Sequence, residues 1–210
     1  MNRYIAEFIG TFALALAVSL SVGGKFPGVP TPVVAAVTLG VCVYMFGSIS
    51  GTHINPSITI GLLSIGKISV KDAAIYVVAQ FAGGGLAMFV SSALGSHPSV
   101  LVADTVTVFA AEALGTFWLS AGVTSVVLGK APGAAGGLTI GGALLLGIAA
   151  TGGASNGALN PAVALAFGSF SLVYLIAPIV GSVIAAQVYR FVAGEQPAAT
   201  GSSAAAAGAK

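Results

Sequence analysis

The sequence predicts an all-α membrane protein: six spanning helices plus two helices too short to cross, arranged as an inverted repeat. Three observations predict it. Only 6% of the 210 residues are charged and 57% are hydrophobic, against roughly 25% and 45–50% in a soluble domain. The 41 residues between Lys25 and Lys67, and the 59 between Lys130 and Arg190, contain no Asp, Glu, Lys or Arg. One helical crossing needs about 20 residues, so each gap holds more than one. Finally, a motif near the N-terminus recurs 105 residues later.

Apolar runs between turn formers place full spans near 4–22, 32–50, 71–94, 104–128, 136–153 and 171–193. The breaks are Gly24 to Pro32, Ser64 to Ser69, Gly95 to Ser99, Gly129 to Gly133 and the Gly/Ser stretch 152–157. Two apolar pieces remain, 56–64 and 161–169. At 1.5 Å per residue each reaches about 14 Å into a hydrocarbon core roughly 30 Å thick. Neither can cross, and lipid cannot satisfy their free N–H groups, so each must be buried by protein or line a watery cavity.

Arg3 opens the first apolar stretch, but no small-residue cleavage site and charged mature region follow, so no removable signal peptide is expected. The single cysteine, Cys42, lies in an apolar run and reads as a small packing residue. A net charge of +2, from scattered Lys and Arg, gives no nucleic-acid surface. With the N-terminus inside, Arg3, Lys67, Lys71, Lys130, Arg190 and Lys210 are cytoplasmic and Lys25 alone is outside. Both termini are then cytoplasmic. The Gly/Ala/Ser-rich stretch 194–210 reads as a disordered tail.

The repeat is carried by two motifs in one register. Ala6-Glu7-Phe8-Ile9-Gly10-Thr11-Phe12 matches Ala111-Glu112-Ala113-Leu114-Gly115-Thr116-Phe117 at five of seven positions, offset 105. Asn55-Pro56-Ser57 precedes Asn160-Pro161-Ala162 by the same 105, as Gly47 and Ser50 precede Gly152 and Ser155. Tyr76, Ala79 and Gly83 recur as Tyr174, Ala177 and Gly181 at offset 98, so the second copy has lost seven residues after its half-helix. The repeats divide the chain into 1–103 and 104–193. Each contains three spans, an odd number, so the second enters the membrane from the opposite face. The two half-helices then dip in from opposite sides, and their N-termini meet near the midplane.

Asn is a strong N-cap and Pro is favoured at the first helical position, so each Asn-Pro pair reads as cap plus first turn. Capping alone would suffice for one pair. A symmetric duplicate at membrane depth adds a second role, in which the capped amide still presents N–H groups to the lumen. Glu7 and Glu112 are carboxylates inside spans, where burial is costly and function is the default reading. His53, two residues before Asn55, belongs at the mouth of the cavity. Loop packing is its plainer role, and gating is the alternative because imidazole titrates near neutral pH. Gly137 and Gly141 form a G-x-x-x-G pair, and Gly10, Gly40, Gly47, Gly83, Gly115 and Gly181 also lie in spans, where small residues let helices approach.

With the paired Asn-Pro motifs, the Ser50-Gly51-Thr52-His53 lead-in and the Ala-Glu-x-x-Gly-Thr-Phe repeat, the chain resembles the aquaporin (major intrinsic protein) family over residues 4–193. The resemblance implies a right-handed bundle of six helices and two re-entrant half-helices, assembled as a homotetramer in the cell membrane. It implies that Asn55 and Asn160 donate to a passing water while the half-helix dipoles oppose cations and protons. It further implies that Glu7 and Glu112 accept N–H bonds from the half-helix loops, the structural reading being favoured over a proton relay. No cofactor or metal is implied.

Counting from the two Asn residues places the family's narrowest point at Ala35, Ile148, Gly157 and Val163. Water-selective members have an aromatic residue, a His, a small or polar residue and an Arg there, and only the small one remains. Val163 in place of Arg removes a fixed charge and its donors, and Ala35 in place of an aromatic widens the ring. Phe167 stands where a Pro is usual, and Ala164 where Ser or Asp tends to separate water from glycerol channels. The expected filter is wide and apolar, and neither subclass transfers.

The leading expectation is therefore a passive channel for water and small neutral solutes such as glycerol, urea, ammonia or gases. An ion-leaky or gated channel, or a non-conducting structural protein on the same scaffold, are the alternatives. A secondary transporter ranks last, since two in-span carboxylates make no coupling-ion cluster. An enzyme is not expected: Ser, His and acidic residues do not converge, and there is neither a Cys/His metal spacing nor a phosphate loop.

Overall fold

The computed structural model describes residues 1–195, so most of the tail expected to be disordered lies outside the described residues. Six helices are long and apolar enough to span a membrane. They are α1 (Asn2–Val22), α2 (Thr31–Ser50), α4 (Val70–Ala93), α5 (Val106–Val127), α6 (Gly136–Ala150, entered through a 3₁₀ turn at Gly133–Ala135) and α8 (Leu172–Val192). Two short helices, α3 (Pro56–Ser64) and α7 (Pro161–Ala166), complete the bundle, and no strand occurs among the described residues. The helices start where the sequence supplies caps. Ser69, Thr105 and Ser171 accept backbone N–H bonds at the heads of α4, α5 and α8.

The packing repeats with the sequence. α1 packs on α2 and α4 as α5 packs on α6 and α8, while α2 lies against α6 between the halves. Each half-helix is exchanged: α3 packs on α8, and α7 on α4. Without a hydrophobic drive between helices in lipid, small residues permit these contacts. A Cβ on Gly137 would stand 2.5 Å from the Gly40 carbonyl oxygen, and one on Gly141 2.5 Å from that of Ala36. Gly83 meets the Phe8 carbonyl in the same way, and Gly181 that of Ala113. Gly10 and Gly115 make room for the side chains of Ile54 and Leu159. Gly47 does not belong with them: a Cβ there meets nothing within 4 Å.

The second half-helix is shorter than the sequence suggests, ending at Ala166 rather than 169. Both half-helices close in the same left-handed glycine turn, Gly66 (φ 74°) after α3 and Gly168 (φ 81°) after α7. In each, the residue after the glycine donates back to the fifth residue before it, Lys67 to Leu62 and Ser169 to Ala164. Gly168 therefore stops α7 after six residues. Of the seven residues missing from the second repeat, three come from this half-helix. The other four, about one turn, come from the start of α8, whose cap Ser171 is offset 102 from Ser69. The fifth span also ends early, at Ala150, where Gly152 (φ 57°) and Gly153 (φ 75°) turn the chain.

Candidate functional site

The two Asn-Pro motifs meet. Asn55 and Asn160 cap their half-helices, the Asn55 side chain accepting from Ser57 N (2.8 Å) and that of Asn160 from Ala162 N (3.0 Å). With the Oδ1 atoms so engaged, the amide nitrogens point across the repeat boundary. Asn55 Nδ2 donates to the Leu159 carbonyl and Asn160 Nδ2 to the Ile54 carbonyl, both at 2.9 Å. Each amide keeps one further N–H. Pro56, Ser57, Pro161 and Ala162 shape the half-helices; Ser57 and Ala162 are fully buried, Ala162 against Gly84 of α4.

The carbonyls that receive these bonds are aimed by unusual backbone. Thr52 (φ 50°), Ile54 (φ 37°) and Leu159 (φ 51°) are left-handed without being glycine, a conformation costing about 1–3 kcal/mol per residue. Two buried carboxylates hold it. Glu7 accepts from Ser50 Oγ (2.6 Å), His53 N (3.0 Å), Ile54 N (2.6 Å) and Gln80 Nε2 (2.8 Å). Glu112 accepts from Ser155 Oγ (2.7 Å), Ala158 N (3.1 Å) and Leu159 N (2.8 Å). Both are 0% exposed, and a carboxylate is acceptor-only, matched to the N–H and O–H donors these loops turn toward it.

The halves differ at one corner. Gln80 also donates to Thr59 Oγ1 (2.9 Å), which lies 3.1 Å from His53 Nδ1. The positions equivalent to Gln80, Thr59 and His53 are Pro178, Ala164 and Ala158. The polar network around Glu7 is thus replaced by apolar side chains around Glu112. His53 is buried, packed edge-on against Tyr76 with ring centroids 5.1 Å apart.

A cavity of about 240 Å³ runs past both Asn residues. Its lining reaches from Thr31 and Asn156, at the face opposite the N-terminus, to Val123 and Ile140 near the other. Ala35, Ile148, Gly157 and Val163 all line it, as do Thr52 and His53. No Lys or Arg lines it among the described residues. The sequence reading placed only the Asn pair as polar donors in the lumen. Thr31, Asn156 and Phe167 were missed as lining residues, although Asn156 lies four residues before Asn160 and Phe167 four after Val163. No group of three or more His, Cys, Asp or Glu suited to a metal occurs among the described residues.

Six spans, two exchanged half-helices and a cavity between their first turns define an integral, multi-pass membrane channel built on an inverted repeat. Residues 1–189 match the family model "Major intrinsic protein", and the chain belongs to that family. It is 33% identical to Nodulin-26 of Glycine max, over 91% of this chain and 78% of that protein. It is 31% identical to Aquaporin Z of Rhodopseudomonas palustris, over 92% and 94% respectively. The fold matches the X-ray structure of the aquaglyceroporin from Plasmodium falciparum with a TM-score of 0.70 at 23% identity, covering 91% of this chain and 96% of that one. Members of the family are passive channels, and this chain is one rather than an enzyme.

Proposed function

We propose that the cavity conducts water and small uncharged solutes, and that Asn55 and Asn160 are its central donors. The observation that carries this reading is the reciprocal 2.9 Å exchange of the two amides with Leu159 and Ile54. It fixes both side chains while leaving one N–H on each for a passing oxygen. The N-termini of α3 and α7 add the positive ends of two helix dipoles, whose influence is confined to the first turn, at the point where a cation would be most desolvated. Glu7 and Glu112 act as positioning residues, and Ala35, Ile148, Gly157 and Val163 form the filter. The chain sits in the cell membrane as a homotetramer with both termini cytoplasmic.

The test is osmotic. Proteoliposomes should shrink faster than empty vesicles after hypertonic mixing in stopped-flow light scattering, and equal rates reject water conduction. A second reading, cation leakage, is favoured by buried Val163 where an Arg is usual and by a lining without Lys or Arg among the described residues. Planar-bilayer recording separates the two. Conductance above background that Val163→Arg suppresses supports leakage, and silence rejects it.

A further inference from the structure

The cavity's half beyond the Asn pair, toward Thr31, engages its polar side chains in hydrogen bonds within the protein. Asn156 gives both amide N–H groups away, to the Leu101 carbonyl (3.0 Å) and Ser169 Oγ (2.7 Å). Thr31 pairs its hydroxyl with Ser21 at 2.9 Å. The remaining side chains of this wall are hydrocarbon, and one of them is aromatic. Phe167 lines the cavity one turn beyond Val163, to whose carbonyl its own N–H donates at 3.3 Å, and it is 2% exposed. No other phenyl, phenol or indole ring lines the cavity among the described residues. The filter has lost its aromatic at Ala35, on α2, and an aromatic wall returns from the end of α7.

From this we infer that the outer half of the cavity selects neutral solutes bearing an alkyl body beside one hydrogen-bonding edge, and that Phe167 is the specificity-determining residue of that wall. The inference rests on the reading of this cavity as a conduit. A polar solute entering here sheds water and finds no side-chain N–H left free to replace it, which slows it. A methyl or methylene on the solute meets Phe167, Val163 and Ile148 instead and recovers about fourfold per buried carbon. Phe167 is the residue that closes α7 just before the Gly168 turn, so a ring stands at the end of the half-helix where a Pro is usual.

The experiment compares urea with N-methylurea, and glycerol with 1,2-propanediol, in proteoliposomes of the full chain. Each rate is taken as the increment over empty vesicles, and water permeability is measured on the same preparation. The expected result is an increment about threefold or more larger for the alkyl-bearing member of each pair, falling toward parity in Phe167→Ala and inverting in Val163→Arg, which restores donors. Equal or smaller increments for the alkyl-bearing solutes in the wild-type chain, with water still conducted, overturn the inference and leave the channel reading standing. No increment for water or any solute overturns both. A wild-type preference that Phe167→Ala leaves intact, with water flux retained, removes Phe167 from the assignment.

Discussion

Asn55 donates to the carbonyl oxygen of Leu159 across 104 residues of sequence, at 2.9 Å. The bond joins two duties on one side chain, since the same amide's oxygen caps α3 through Ser57 N. Asp in place of Asn keeps the capping oxygen and deletes the donor. Asn55→Asp is therefore expected to retain the half-helix, strand the Leu159 carbonyl and lower water permeability. Asn55→Ala loses the cap as well, about 1 kcal/mol more. Stopped-flow shrinkage and thermal unfolding in detergent, measured on both variants, separate the duties. An Asp variant with wild-type flux would show that donation from Asn55 does not limit water.

Glu7 and Glu112 meet backbone N–H groups of the loops whose carbonyls receive the Asn amides. Gln at either site must turn an NH₂ toward a donor. Whichever way it is placed, one backbone N–H is stranded: His53 or Ile54 in the first repeat, Ala158 or Leu159 in the second. Each stranded donor costs about 1–3 kcal/mol. Glu7→Gln and Glu112→Gln should lower the unfolding temperature by similar amounts and reduce water flux. Unchanged unfolding temperatures would mean the loops hold their left-handed turns without the carboxylates.

Gln80 tells a different story, because the second repeat works without it. Glu112 is satisfied by three donors while Pro178 occupies the equivalent position. The Gln80 Oε1 atom, moreover, has no hydrogen-bond partner among the described residues. Gln80→Leu should therefore lower stability by only about 1 kcal/mol and preserve water permeability. Loss of flux in a folded Gln80→Leu variant would give the first half's polar corner a role beyond holding Glu7.

How much of this was legible depends on what set each feature. The spans were legible because charge is excluded from lipid, and the uncharged run from Lys25 to Lys67 leaves α2 and α3 nowhere else to lie. The end of α3 was legible as well, but α7 was read three residues too long. Leu165 to Phe167 continues apolar, and Gly168 marks the stop. Local propensity points away from left-handed backbone at β-branched Thr52 and Ile54. That backbone is imposed by Glu7, whose sequence position is 47 residues from Ile54. Counting from the two Asn residues led to Ala35, Ile148, Gly157 and Val163, all of which line the cavity, whereas Phe167, also in the lining, stood out in the sequence only as a residue in place of Pro.

Gly181 and Gly47 both lie in spans and both read as packing glycines, yet the structure separates them by sign. A Cβ at Gly181 collides with the backbone of Ala113, which cannot rotate away as a side chain could, whereas one at Gly47 enters open space. Gly181→Ala must push α8 off α5, and overpacking of this kind costs about 1–3 kcal/mol. Gly47→Ala adds no clash and removes backbone freedom from the unfolded chain, so it should be neutral or stabilise by up to about 1 kcal/mol. Thermal unfolding of the two variants in one detergent is the measurement. A lower unfolding temperature for Gly47→Ala would mean that face is covered by another surface, while a neutral Gly181→Ala would mean that α5 and α8 can separate freely.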